Sequence, residues 1–302
     1  MTANNTEANK AVQRRGLEEL WNQGKLDVIS EICAPDVVFY DPAGFGFSGH
    51  EGARQFVSMV RAAFPDVHFT MEDQIAGGDR VALRWTCTGI HQGDFMGIPA
   101  TGVNVTTTGI TISRFAGGRV VEEWLHWDAL GQMQQMGVIA PGRPTPENYM
   151  WGTPSDVTGD PGDPEANKAI VVDVIERLWN QQDLDVLDET RSTDIVIHVP
   201  VETVSPWTGI EITKQVVTAY LTGLPDMHVT NNDVFAAGDK VVVPWTAKGT
   251  HGGELAGIPP TGKQVMYTGI TIYRLANGKI VEEWWAWDTL GLIQQIAPPE
   301  TS

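Results

Sequence analysis

The sequence is short of cysteine. It has two, Cys33 and Cys87, in 302 residues, with no CxxC and no Cys/His cluster around either. That excludes a disulfide framework and a zinc site as organising devices. Both read as small buried hydrophobes in a reducing compartment. Positive charge is also scarce: 20 Lys and Arg stand against 38 Asp and Glu, a formal net charge of −18. Nucleic acid and anionic membranes are poor partners for such a chain. Long apolar runs are missing too, so no transmembrane helix is expected. The polar start MTANNTEANK lacks the basic-then-apolar pattern of a signal peptide, and a cytoplasmic location is expected. No GxxxxGK[ST] occurs, and neither GxSxG nor a Cys/His pairing is present. A nucleotide cradle and an acyl-transfer nucleophile are therefore not indicated. No metal and no cofactor is expected.

What is present is enough apolar content, 42% against 19% charged, to build real cores. The length suits two domains of about 150 residues. An internal repeat sets their limits. WNQGKLDVISEICAPDVVFYDP at 21–42 recurs as WNQQDLDVLDETRSTDIVIHVP at 179–200, and the block at 64–137 recurs at 224–297. The register changes by two residues near Val201–Trp207. The reading is a first domain over 1–140, a linker over 141–164 rich in Pro, Gly, Asp and Thr, and a second domain over 165–302. Tyr149, Met150 and Trp151 interrupt the linker.

Each copy has the same order of elements. Helices are expected at 8–22 and 165–180. Short helices follow at 25–33 and 183–190, short strands at 36–41 and 194–199, and third helices at 50–63 and 209–222. Three or four strands joined by Gly-rich turns then lead to a short closing helix. Helices followed by a curved antiparallel sheet is an α+β arrangement, here two tandem cone-shaped barrels, each a sheet wrapping its helices.

The segments GIHQGDFMGIPATG and EEWLHWDALGQMQQMG, with GTHGGELAGIPPTG and EEWWAWDTLGLIQQ in the second copy, resemble the SnoaL-like polyketide cyclase (ester cyclase) family of the nuclear transport factor 2-like superfamily. The resemblance covers both copies. It implies the cone fold and a hydrophobic small-molecule ligand, on a scaffold that hosts many chemistries. It also implies sheet-to-sheet pairing, here an intrachain pseudo-dimer, with further homo-oligomerisation left open. In the family cyclases an Asp on the last strand moves a proton next to a carbonyl. Here that position holds Leu125 in one copy and Trp285 in the other.

Strand alternation gives the other candidates. With Leu125 and Trp285 facing inward, so do Glu123, Trp127, Glu283 and Trp287. Glu123 and Glu283 are the candidate proton-transfer carboxylates, since an apolar pocket raises a Glu pKa; an ion pair with Arg114 or Arg274 is the alternative. Tyr40 with Asp41, His198, His91 and His251 are the candidate polar catalytic partners. Leu125, Trp127, Trp85, Trp285, Trp287 and Trp245 are the candidate ligand walls. Asp128 and Asp288 read as helix caps, His68 and His228 as exposed strand residues, His126 as lying outside the cavity and His50 as structural.

Three functions fit these residues. One is a cofactor-independent acid–base enzyme acting on a hydrophobic carbonyl compound by aldol cyclisation, isomerisation or dehydration. The second is a binding protein that keeps the cone without the chemistry. The third is an epoxide-hydrolase-like use of the cone around Arg84, whose counterpart is Pro244.

Overall fold

The computed structural model describes residues 5–41, 44, 46–139, 151, 155–199 and 207–297. Tyr149 and Met150 lie outside the described residues. The chain forms two compact units, Met1–Met150 and Trp151–Ser302.

In the first unit, α1 (Thr6–Arg15) starts under an Asn5 side chain that accepts the Ala8 N–H, and it runs on as a π-helical turn, Gly16–Asn22. Helix α2 (Val28–Ile32), β1 (Cys33–Tyr40) and α3 (Gly49–Ala63) follow. Then come β2 (His68–Gly77), β3 (Arg80–Ile90), β4 (Asn104–Ala116), β5 (Arg119–Trp127) and α4 (Ala129–Gln135). The sheet order is β1-β5-β4-β3-β2. The β4–β5 turn uses Gly117 and Gly118 at φ of 59° and 76°, the left-handed pair a tight hairpin requires.

The second unit repeats the plan. Asp163 caps α5 (Pro164–Ile175), with Pro in its first turn, and a π-helical turn, Glu176–Asn180, extends it. After α6 (Asp185–Thr190) come β6 (Arg191–His198), β7 (Trp207–Thr208) and α7 (Ile210–Gly223). The remaining elements are β8 (His228–Asn231), β9 (Phe235–Ala237), β10 (Lys240–Thr250), β11 (Gln264–Ala276), β12 (Lys279–Trp287) and α8 (Thr289–Ile296). The sheet order is β7-β6-β12-β11-β10-β8, with β9 also on β10. Residues 155–163, part of the expected linker, lie against this unit. Arg274 donates to the Val157 and Ser155 carbonyls at 2.9 and 3.2 Å, and the Asp160 and Asn277 backbones are joined.

The expected α+β cone is present in both units, with two differences of detail. The sheets are curved but not closed barrels, and they are mixed. β1 runs parallel to β5, and β6 parallel to β12. The chain between β1 and β5 passes through a helix and three strands, so no tight turn forces antiparallel pairing. A boundary also moves. Cys33 and Arg191, expected at or just beyond the end of the second helix, open β1 and β6. No helix of the described residues is long and apolar enough to cross a membrane.

Gly109 and its counterpart Gly269 mark a tight spot in each sheet. A Cβ on Gly109 would lie 2.2 Å from Trp85 Cζ2 and 2.7 Å from the His126 carbonyl oxygen; one on Gly269 would lie 2.3 Å from Trp245 Cζ2. The missing side chain is the space the indole occupies. Gly109→Ala is expected to destabilise the first unit by about 1–3 kcal/mol, as overpacking does, read as a lower urea midpoint. An unchanged midpoint would mean that Trp85 has room to move.

Candidate functional site

Helices α1 and α3 and the inward residues of β1, β3, β4 and β5 enclose a cavity of about 140 Å³ in the first unit. Its walls are chiefly apolar. The parity of β5 brings Glu123, Leu125 and Trp127 into it, and β3 supplies Trp85. The two indole N–H groups are satisfied at the rim: Trp85 Nε1 donates to Thr111 Oγ1 at 3.0 Å and Trp127 Nε1 to Gln132 Oε1 at 3.2 Å. Each ring is thereby held with its apolar surface toward the cavity.

Glu123 is the one carboxyl lining this cavity among the described residues. Enclosure disfavours its charge and pushes its pKa up to about 7, against a smaller opposing pull from Ser113. Ser113 Oγ donates to Glu123 Oε2 at 3.1 Å, and Gln13 Nε2 donates to Ser113 Oγ at 3.1 Å. Cys33 and Cys87 both line the cavity as free thiols. Burial, followed by the nearby Glu123 charge, pushes the Cys33 thiol up to about 12, and burial raises Cys87 well above its ordinary value. At neutral pH both stay protonated, which argues against a thiolate nucleophile.

The second unit treats the equivalent carboxyl differently. Glu283 Oε1 accepts from Arg191 Nε and Nη2, both at 2.9 Å, and Oε2 accepts from Trp285 Nε1 at 2.6 Å. Arg191 and Glu283 side chains are 2% and 0% exposed. Cys33 stands at the position of Arg191, and Leu125 at that of Trp285. Glu123 therefore lacks both groups that satisfy Glu283. Tyr220, Tyr267, Tyr273 and Trp285 also replace Val60, Thr107, Ser113 and Leu125, and the cavity shrinks to about 50 Å³. Trp245, Trp285 and Trp287 line what remains, while Glu283 does not.

The polar partners expected from the sequence are not brought to either cavity. Tyr40 pairs in register with Trp124, whose side chain points opposite to that of Glu123. It stacks on the Trp124 ring at 5.4 Å and is 46% exposed. Asp41, just past the end of β1, is not among the lining residues. His198 likewise pairs with Trp284; it is buried, stacks on that ring at 5.3 Å, and places Nε2 2.8 Å from Glu282 Oε1. His91 and His251 are fully buried beside their loops, Nδ1 lying 3.0 Å from Thr101 Oγ1 and Thr261 Oγ1. The His91 backbone clamps the same loop through Val103 and Gly102, as His251 does through Lys263 and Gly262. Both copies thus use this histidine to hold a turn.

The alternative pairing of Glu123 with Arg114 and of Glu283 with Arg274 also fails on register. Arg114 faces Glu122 at 2.6 Å and Arg274 faces Glu282 at 2.8 Å. Arg84 alternates with the cavity residues Leu83 and Trp85 and lies on the other face of β3, so the epoxide-hydrolase-like reading lacks its central cation. Asp128 and Asp288 accept the Gly131 and Gly291 N–H groups as helix caps, and His68 and His228 are exposed. His126 lies outside the cavity, its pKa lowered by burial to about 4, and His50 holds the start of α3 to the Cys33 carbonyl at 3.1 Å.

Sequence reading missed Gln13, Ser113, Thr107, Thr111, Gln132 and the two cysteines as cavity residues. The available signal was the difference between copies. Gln13, Ser113, Gln132 and Cys33 become Val171, Tyr273, Leu292 and Arg191.

The model of the SnoaL-like polyketide cyclase family matches residues 11–136 and 169–296. Among solved structures, a SnoaL-like protein from Jannaschia sp. CCS1 is 26% identical over 48% of this chain and 100% of its own, with a TM-score of 0.42. AclR from Streptomyces galilaeus is 29% identical over 47% and 87%, at 0.41. IdmH from Streptomyces antibioticus is 32% identical over 43% and 99%, at 0.39. A search of curated proteins gives no match.

Breaking the ion pair from one side leaves an unanswered buried charge. Arg191→Met is expected to cost about 3–5 kcal/mol of stability. The double variant Arg191→Met with Glu283→Gln is expected to recover a large part of that. Chemical denaturation of the parent, Arg191→Met, Glu283→Gln and the double variant checks both; additive single effects would show that the two groups do not depend on one another.

Proposed function

The chain belongs to the SnoaL-like polyketide cyclase family, and on that premise we propose that its first domain is a cofactor-independent proton-transfer enzyme for a hydrophobic carbonyl compound. The observation that carries the proposal is Glu123: a carboxyl with no counter-ion among the described residues, facing an aromatic-walled cavity, with its pKa moved to about 7. A group poised there is half ionised at neutral pH. It can take a proton from a carbon next to a carbonyl and return it to the oxygen or carbon where charge develops. Aldol closure, isomerisation and dehydration all begin with that step.

The cavity supports an apolar substrate. Trp85 and Trp127 offer flat faces, and their N–H groups are already engaged. An engineered apolar cavity of about 150 Å³ takes benzene, so the enclosed part of the substrate is about one ring in size. The substitution of the family's Asp by Leu125 does not remove the chemistry in this reading. The carboxyl has moved two residues back along the same face of β5, to Glu123.

The second domain is read as a non-catalytic partner. Its equivalent carboxyl is neutralised by Arg191, and aromatic rings fill most of its interior. A binding protein without turnover remains the second reading, favoured by Leu125 at the family's catalytic position.

Two measurements test this. Glu123→Gln is expected to abolish turnover of a model carbonyl substrate while ligand affinity stays within a few-fold. Glu283→Gln should leave turnover in place. Where Glu123 acts as base, kcat/KM rises with pH through about 7. Loss of turnover in Glu283→Gln alone would reverse the assignment of the domains, and a parent protein that binds but never turns over would favour the binder.

A pH effect on stability follows from the same group. Folding raises the Glu123 pKa from 4.5 to about 7, so the folded state holds a proton that the unfolded state has released. Stability is therefore highest below pH 4.5 as far as this residue is concerned, and falls as pH rises to about 7. Glu123→Gln is expected to remove that slope in denaturation series across pH 4.5–7.

A further inference from the structure

A single chain of hydrogen bonds crosses the first domain from its surface to Glu123. Arg14 Nη2 donates to Gln74 Oε1 at 3.1 Å; Gln74 Nε2 donates to Gln13 Oε1 at 3.0 Å. Gln13 Nε2 donates to Ser113 Oγ at 3.1 Å, and Ser113 Oγ to Glu123 Oε2 at 3.1 Å. Its direction is fixed by groups that can only accept. Gln74 Nε2 also donates to the Lys10 carbonyl at 3.0 Å, and Gln13 Nε2 to the Val81 carbonyl at 3.0 Å. A flipped amide would set oxygen against oxygen at either place. With Gln13 donating to it, the Ser113 hydroxyl keeps one hydrogen, and that hydrogen goes to Glu123.

We propose that Ser113, Gln13 and Gln74 are positioning residues that hold Glu123 Oε2 as a permanent acceptor and leave Oε1 as the one oxygen that exchanges a proton with substrate. This rests on the reading of Glu123 as the proton-transfer group. Every link donates inward from the Arg14 guanidinium, so the links polarise one another toward the carboxylate. Gln13 and Ser113 are 6% and 0% exposed, so the link between them is shielded from bulk water. When the carboxyl is protonated, its proton sits on Oε1, because Oε2 is already receiving one.

The second domain shows that the chain is a unit. Arg14, Gln13, Gln74 and Ser113 correspond to Val172, Val171, Val234 and Tyr273. All four are lost in the copy that gained Arg191. A distant cation acting through a relay leaves one oxygen available; a cation in direct contact leaves neither. The other groups that titrate at this cavity are Cys33 on β1 and Cys87 on β3, whose thiols stay protonated through neutral pH. Arg119, at the start of β5, partly opposes the rise at Cys33. Helix α1 and strand β4 present Gln13 and Ser113, which do not titrate.

The experiment follows Glu123 in the full chain without substrate. Protein carrying carboxyl-13C glutamate is titrated by NMR, with Glu123→Gln giving the assignment, in the parent, Ser113→Ala, Ser113→Thr and Gln13→Leu. Ser113→Ala is expected to raise the midpoint by about one pH unit, the effect of losing a donor to a charged group. Gln13→Leu should raise it by less, and Ser113→Thr should restore it. Difference infrared adds a second signature: the C=O stretch of the protonated carboxyl moves to higher frequency in Ser113→Ala and Gln13→Leu, as Oε2 loses its donor. Midpoints and stretches unmoved in both variants would overturn the relay. Should they move while Glu123→Gln still turns substrate over, the relay stands and the enzymatic reading falls. Should Ser113→Ala not fold, Gln13→Leu and Ser113→Thr carry the test.

Discussion

A carboxyl group buried under the last strand of a curved sheet has to be answered, since an ion stripped of water is costly unless it is paired, hydrogen-bonded or neutralised by a proton. Both halves of this chain carry such a group, and they answer it in opposite ways. In the second half an arginine and an indole N–H take both oxygens of Glu283. In the first half Ser113 donates to one oxygen of Glu123, and enclosure pushes the carboxyl's pKa up to about 7. Much of the contrast between the halves is organised around that choice: which neighbours are polar, which are aromatic, and how much space is left.

The ion pair is a weak argument for stability in itself, because a well-packed apolar substitute is often as good. The four aromatic side chains that accompany it are a stronger one. Tyr267, Tyr273 and Trp285 belong to a buried cluster that runs from the helices through to β11 and β12, and the partly buried Tyr220 packs against it. In the first half the corresponding cluster is smaller, and several of its members, Leu20, Val57 and Val120 among them, form the cavity wall. Packing energy and binding space compete for the same volume.

The sequence made the duplication, the two cones and the inward face of β5 readable, because a repeat and a two-residue period need no knowledge of contacts. It misplaced Tyr40 and His198, since their faces depend on pairing with β5 and β12 across irregularities between Cys33 and Val38 and between Ile280 and Glu282. His91 looked catalytic because histidine next to glycine is chemically versatile; its burial against Thr101 is a tertiary fact. Gln13 was invisible for another reason. It sits on a helix, and its partner Ser113 is 100 residues away, so neither residue marks the other locally. Only the position-by-position contrast with Val171 and Tyr273 carried a trace of them.

Covalent duplication has an evolutionary side. When one gene specifies both halves of a pair, any replacement in one cavity is imposed on the other, and an arginine placed against the carboxyl would appear in both. Two copies in one chain are released from that coupling. Arg191 and Trp285 could arise in one copy without being imposed on the positions of Cys33 and Leu125 in the other, so the two interiors were free to diverge in density.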